Sequence, residues 1–296
     1  MKRFVFFAIL CLTLAGCRPS GTGNLKLDPK LAAFVPDDAI VLAGFRLEAL
    51  KATPLYQRAE KEGVFRGADD FVSKTNFDPR KDVKDFLLAS SGPDWLLIAR
   101  GRFEVKGLEA LPKSTYQGVT LYGEEAGALA ILDQATALAG PARAVKAALD
   151  HSRSGATAPV LQLTATIPAG SQVWAVSRGV PKLDALPLSG NMANLGRVIR
   201  SLARVSLSLD FAQGANGYVE GQCATDQDCK SLSEALRGVL GLGRLSVPDN
   251  QPELLKFFDG IKVSQDKLAL RVDISISDDI AQKAIDQLLA SRPRGK

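Results

Sequence analysis

The chain has 296 residues, 46% of them apolar, 23% charged and 6% aromatic, enough hydrophobic material for a full core, which excludes a disordered tail. Its formal charge is +5, and removing Lys2 and Arg3, part of a segment expected to be cleaved, from the 37 Lys+Arg leaves an excess of only +3 over the 32 Asp+Glu. So small and evenly mixed an excess argues against nucleic acid as a partner, because that needs basic residues gathered on one face.

Met1-Lys2-Arg3 is a basic start, residues 4–14 carry no charge, and Leu14-Ala15-Gly16-Cys17 follows. As a helix the apolar run reaches about 16 Å against a hydrocarbon core of about 30 Å, so it is too short to span and has the layout of a signal peptide. Small Ala15 and Gly16 directly before a cysteine resemble the lipobox of bacterial lipoproteins. The resemblance covers about 17 residues. It implies diacylglycerol transfer to the Cys17 thiol, cleavage after Gly16 and acylation of the new amino group. Several acyl chains hold a protein stably at a membrane where one is marginal. Arg18 rather than Asp follows the cysteine, which implies the outer membrane over the inner one, on the periplasmic face. Residues 1–16 are thus read as signal, and 17–34 as lipidated cysteine and polar tether.

The body reads as one unit written twice, 35–150 and 160–296, joined by a small polar linker at 151–159. The first unit opens with a turn and strand at 35–43. Thr53-Pro54 then starts a helix, with Thr53 as N-cap and Pro54 as first helical residue. A strand pair at 86–89 and 95–100 follows, turned by Ser91-Gly92-Pro93-Asp94. A short helix is expected over 104–111, then strands at 118–121 and 128–132 and a helix at 141–149. Trp95 to Ala99 and Ala128 to Leu132 are apolar on both faces, so this sheet should be covered on both sides, by the other unit among the possibilities.

The second unit repeats the order: a turn and strand at 167–175, a Pro-interrupted helical stretch around Pro187 and a helix at 191–202. Val205, Leu207, Leu209 and Phe211 then alternate with polar residues, a period of two with one wet face. A turn leads to a strand at 218–223 and an amphipathic helix at 226–240. Strands at 260–263 and 268–276 and a helix at 278–289, capped by Ser277, complete it. The fold class read from this is α+β: two similar units with antiparallel sheets and helices mainly on one face. Each has a ferredoxin-like β-α-β-β-α-β core plus an extra strand and helix.

Of four cysteines, Cys11 leaves with the signal and Cys17 takes lipid, leaving Cys223 and Cys229. Thr225 with Asp228 three residues on marks a helix start, placing Cys223 before the cap and Cys229 at the fourth helical position, where a disulfide would staple the helix end. The spacing does not fit a Cys-x-x-Cys redox pair, and one histidine in the chain leaves zinc short of ligands. That residue, His151, reads as a solvated linker side chain. Arg197, Arg200 and Arg204 form a stripe opposite the apolar face of the helix at 191–202. It is either a solvated helix back or a contact for anionic head groups or an acidic partner. No catalytic or cofactor motif is present. The expected role is a non-catalytic, lipid-anchored envelope protein working through contacts with a protein partner. The alternative is a carrier for an apolar ligand held between the units, in a cavity lined by Trp95, Leu97 and Ile131.

Overall fold

The computed structural model describes residues 25–64, 69, 72, 78–105, 107–180, 199, 201–249 and 251–283. Cys17, Arg197 and Arg200 lie outside the described residues, as does the stretch around Pro187.

Twelve strands form a single antiparallel sheet. In chain order they are β1 (Val41–Arg46), β2 (Val83–Ser90), β3 (Trp95–Gly101), β4 (Lys113–Tyr116), β5 (Val119–Glu124), β6 (Gly127–Asp133) and β7 (Thr136–Gly140) in the first unit. The second unit adds β8 (Val173–Ser177), β9 (Arg204–Asp210), β10 (Ala215–Gln222), β11 (Ile261–Asp266) and β12 (Ala269–Ile276). The spatial order is β11-β12-β10-β9-β8-β1-β2-β3-β7-β6-β5-β4. The duplication is visible in it: β1-β2-β3-β7-β6 runs outward from the centre as β8-β9-β10-β12-β11 does on the other side. The first and second strands of each unit are neighbours, which is not the strand placement of a ferredoxin-like unit.

The two sheets expected from sequence are joined edge to edge, β1 pairing with β8 from Val41↔Ser177 to Phe45↔Val173. Each unit's first strand would otherwise be an open edge with unpaired backbone groups, and the seam satisfies both. The other unit therefore lies beside the first sheet and does not cover it.

The helices whose two ends are described are α1 (Pro29–Ala32), α2 (Leu47–Lys51), α3 (Pro54–Lys61), α4 (Pro79–Asp82), α5 (Ala142–Ser154), α6 (Asp226–Leu245) and α7 (Leu255–Asp259), and residues 278–283, the described part of the helix expected from 278, are helical as well. A 3-10 segment, Pro159–Thr166, follows α5. As expected, Thr53 caps α3, its Oγ1 accepting from Tyr56 N at 3.2 Å, and Thr225 caps α6, accepting from Asp228 N at 3.1 Å. The Cys223–Cys229 disulfide is formed, with Cα atoms 5.6 Å apart.

Register decides which face each helix covers. On the front face one apolar row crosses ten strands: Leu129, Ala139, Leu97, Leu88, Ala43, Ala175, Leu207, Val219, Val272 and Val263. On the back, the row through Leu96, Ala89, Leu42 and Val176 turns polar in the second unit, continuing through Ser206, Glu220, Arg271 and Ser264. The main core therefore lies behind the first unit, where Val145, Ala148 and Leu149 of α5 and Val160 pack on Ile98 and Leu138. Each fully buried Val or Leu there contributes about 1.5–3 kcal/mol. The second unit instead buries its front, where Leu232 and Leu236 of α6 pack on Leu270, Val205 and Val263.

Two expectations fail for physical reasons. The described residues of 102–112 form turns and irregular backbone, not a helix; Gly107, at φ 95°, takes a left-handed conformation that interrupts one. His151 is not a solvated linker residue but part of α5. Its side chain is 6% exposed, with Nδ1 3.3 Å from Asp37 Oδ2, and the helix runs on to Ser154 and ends at Gly155 in the left-handed region.

Candidate functional site

The missing helix at 102–112 leaves a space. In the second unit α6 covers the front face, but the equivalent connection in the first unit lays only Phe103 and Leu108, both buried, over the sheet. Beneath them is a pocket of about 200 Å³ lined by Pro79, Val83, Leu97, Ala99, Phe103, Glu104, Leu108, Leu129, Ile131, Ala137, Leu138 and Ala139. Strand alternation sets the floor: Leu97 and Ala99 on β3, Ala137 and Ala139 on β7, and Leu129 and Ile131 on β6 face forward together. Val83, Ala99, Phe103 and Ala137 are the buried members of this cluster, while Leu97, Leu129 and Ile131 are partly buried.

Among the described residues the lining carries one ionisable side chain, Glu104. A single carboxylate against an apolar wall cannot divide general acid from general base, whereas an apolar molecule needs no more than such a wall to be held. A dry apolar cavity of about 150 Å³ takes a benzene-sized guest, so this one suits a somewhat larger apolar group or part of a chain. Near the mouth, Pro79 starts α4, whose N-cap Asp78 accepts from Arg80 N at 3.0 Å and from Arg80 Nε at 2.8 Å. Hydrogen bonds from the Arg80 side chain hold the Asp78 carboxyl below its ordinary value, against burial, which works the other way.

Leu97 and Ile131 line the pocket as the sequence predicts; Trp95 does not. It stands on the same face two residues before Leu97, at the strand start, and is 46% exposed. The pocket also belongs to the first unit alone, not to a cleft between units. Val83, Phe103, Leu108 and the two alanines of β7 are lining residues the sequence reading missed. The two-sided apolarity of β3 and β6 pointed to their surroundings but not to them.

Arg204 is exposed at the start of β9, facing Gln222 of β10. It lines a separate groove of about 400 Å³ on the back of the second unit, where Ser206, Glu220, Gln222 and Lys267 mix with apolar Leu163, Val176 and Leu268. Beside this groove Arg271 stacks over the Tyr218 ring at 3.9 Å and bridges Glu220 and Asp273. Among the described residues no group of three or more His, Cys, Asp or Glu is placed to hold a metal ion, and no helix is long and apolar enough to cross a membrane.

No protein-family model matches the chain, and no curated protein matches it. Among solved structures it is similar to TP0453. Crystal form III of that protein aligns with TM-score 0.54 at 12% identity, covering 90% of this chain and 99% of that one. Crystal form IV aligns with TM-score 0.50 at 12% identity, covering 89% and 97%. At such identity the likeness establishes a shared fold, and it extends over nearly the whole of both chains.

Proposed function

We propose that this protein is a lipid-anchored envelope protein, acylated on Cys17, that binds an apolar ligand in the front pocket of its first unit. The observation carrying the reading is the pocket itself, an apolar space of about 200 Å³ where a packed core would suit a purely structural scaffold. Its ligand is an acyl chain or an apolar group of similar girth. Among the described residues the lining offers no pair of ionisable groups, which favours binding over catalysis.

The test uses a naphthylamine dye that brightens in apolar surroundings, with palmitate as competitor. Ala139 lines the floor from β7, and Ala139→Phe fills the cavity from a position that is only partly buried. Dye binding to the native protein, displaced by palmitate and weakened at least tenfold in Ala139→Phe with the melting temperature kept, is the expected result. Unchanged binding in the variant would remove the pocket as the site.

A second reading, docking to a protein partner, has an observation of its own. Val239, Leu242 and Leu245 are 48%, 67% and 85% exposed along the outer side of α6. Mass spectrometry of protein gently purified from its envelope separates the two. A stoichiometric protein partner without a small molecule favours docking, and an extractable apolar molecule favours the carrier.

A further inference from the structure

We infer that the sheet rim formed by the end of β1, the start of β2 and the end of β3 is the surface this protein turns toward the phospholipid bilayer, placing the apolar pocket at the membrane side. The inference rests on the reading that Cys17 is acylated. Seven residues separate Cys17 from Leu25, and in any conformation the eight steps from one to the other span at most about 29 Å. Where the chain enters the fold is therefore what faces the bilayer.

That entry is fixed. Leu25 N donates to Ile167 O at 3.0 Å, and Leu25 and Leu27 pack against the main core. The same segment lies along Arg46, Asp85 and Arg100, which are in register across β1, β2 and β3 at one end of the strands. Arg100 bridges Asp85 and Asp28, with Nη1 3.0 Å from Asp28 Oδ2. The chain thus meets the back of the sheet at this rim. On the front of the same rim, Val83, Ala99 and Phe103 begin the pocket lining.

Around the rim Lys26, Arg46, Lys81, Lys84, Arg100 and Arg102 are matched by Asp28, Glu48, Asp82, Asp85, Glu104 and Asp133, a mixed, near-neutral surface, so the placement rests on the tether and not on charge. An apolar ligand held there passes between pocket and bilayer over a short aqueous path.

The test uses full-length protein carrying its own signal, purified with its acyl chains and inserted in vesicles of three parts phosphatidylethanolamine to one part phosphatidylglycerol with nitroxide head groups. Lys84→Cys places a fluorophore at the rim. Pro93→Cys places one in the exposed turn at the opposite end of β2, about 25 Å away at ~3.4 Å per residue. The added thiol alone is reactive, since Cys223 and Cys229 are paired and the Cys17 sulfur is blocked once acylated. Quenching several-fold stronger at Lys84→Cys than at Pro93→Cys is expected. Equal or reversed quenching in protein that floats with the vesicles overturns the orientation alone. Protein that lacks acyl chains by mass and does not float overturns both the anchor and the orientation built on it, while leaving dye binding in the pocket to be judged by its own assay.

Discussion

Gly44 marks a tight contact between the two units. It sits on β1 opposite Trp174 of β8, and the indole lies flat across it, so that a Cβ at residue 44 would fall 2.2 Å from the ring. Trp174 is 2% exposed there. Gly44→Ala must push a buried indole off the sheet, and we expect a loss of about 2–3 kcal/mol, read from urea unfolding at neutral pH. Asp78 makes a second prediction. Its carboxyl titrates below the ordinary 3.8 because Arg80 hydrogen-bonds its charged form. The stability this provides is therefore complete above that ordinary value and is lost as pH falls through the lower folded-state value. Asp78→Asn should destabilise the protein at neutral pH, and the gap from the native protein should narrow as the pH falls below that ordinary value; a gap of constant size would show that the pairing contributes nothing.

At the scale of elements, α6 is held at its start twice. Thr225 satisfies an open backbone N–H of the first turn, and the Cys223–Cys229 bond ties the same turn to the end of β10. Thr225→Ala should cost about 1 kcal/mol in protein with reduced cysteines and less with the disulfide closed, because the bond holds the turn when the cap is gone. Equal losses in the two redox states would mean that cap and disulfide act independently. These devices were legible in the sequence, as were Thr53 and the alternation through Val205, Leu207 and Leu209, since each depends on residues a few positions apart. β7 was not. Thr136-Ala137-Leu138-Ala139-Gly140 is buried at four of its five positions and has no polar face to supply a period of two. β4 was missed for the opposite reason, its side chains being mostly exposed. The helix expected over 104–111 gave way to Gly107, and the pocket exists because of that.

For the whole molecule, no local pattern announced the β1–β8 seam, which joins strands about 130 residues apart in sequence. It makes the units one mechanical body. Leu55 of α3, from the first unit, also packs against Ile276 and Ile280 of the second. We therefore expect a single unfolding transition in urea, with tryptophan fluorescence and far-ultraviolet circular dichroism coinciding. Two separated transitions would show that the seam does not couple the units.

An open sheet of twelve strands has two ends. At one, β4 is four residues long and bears exposed Lys113; at the other, the Val263 carbonyl of β11 is occupied by the Arg237 side chain at 3.1 Å. Were the chain acylated on Cys17 as proposed, copies would meet in two dimensions, where a long bare strand edge is a template for pairing with another chain. A short end bearing a lysine and an end with one carbonyl already taken both work against edge-to-edge pairing of copies.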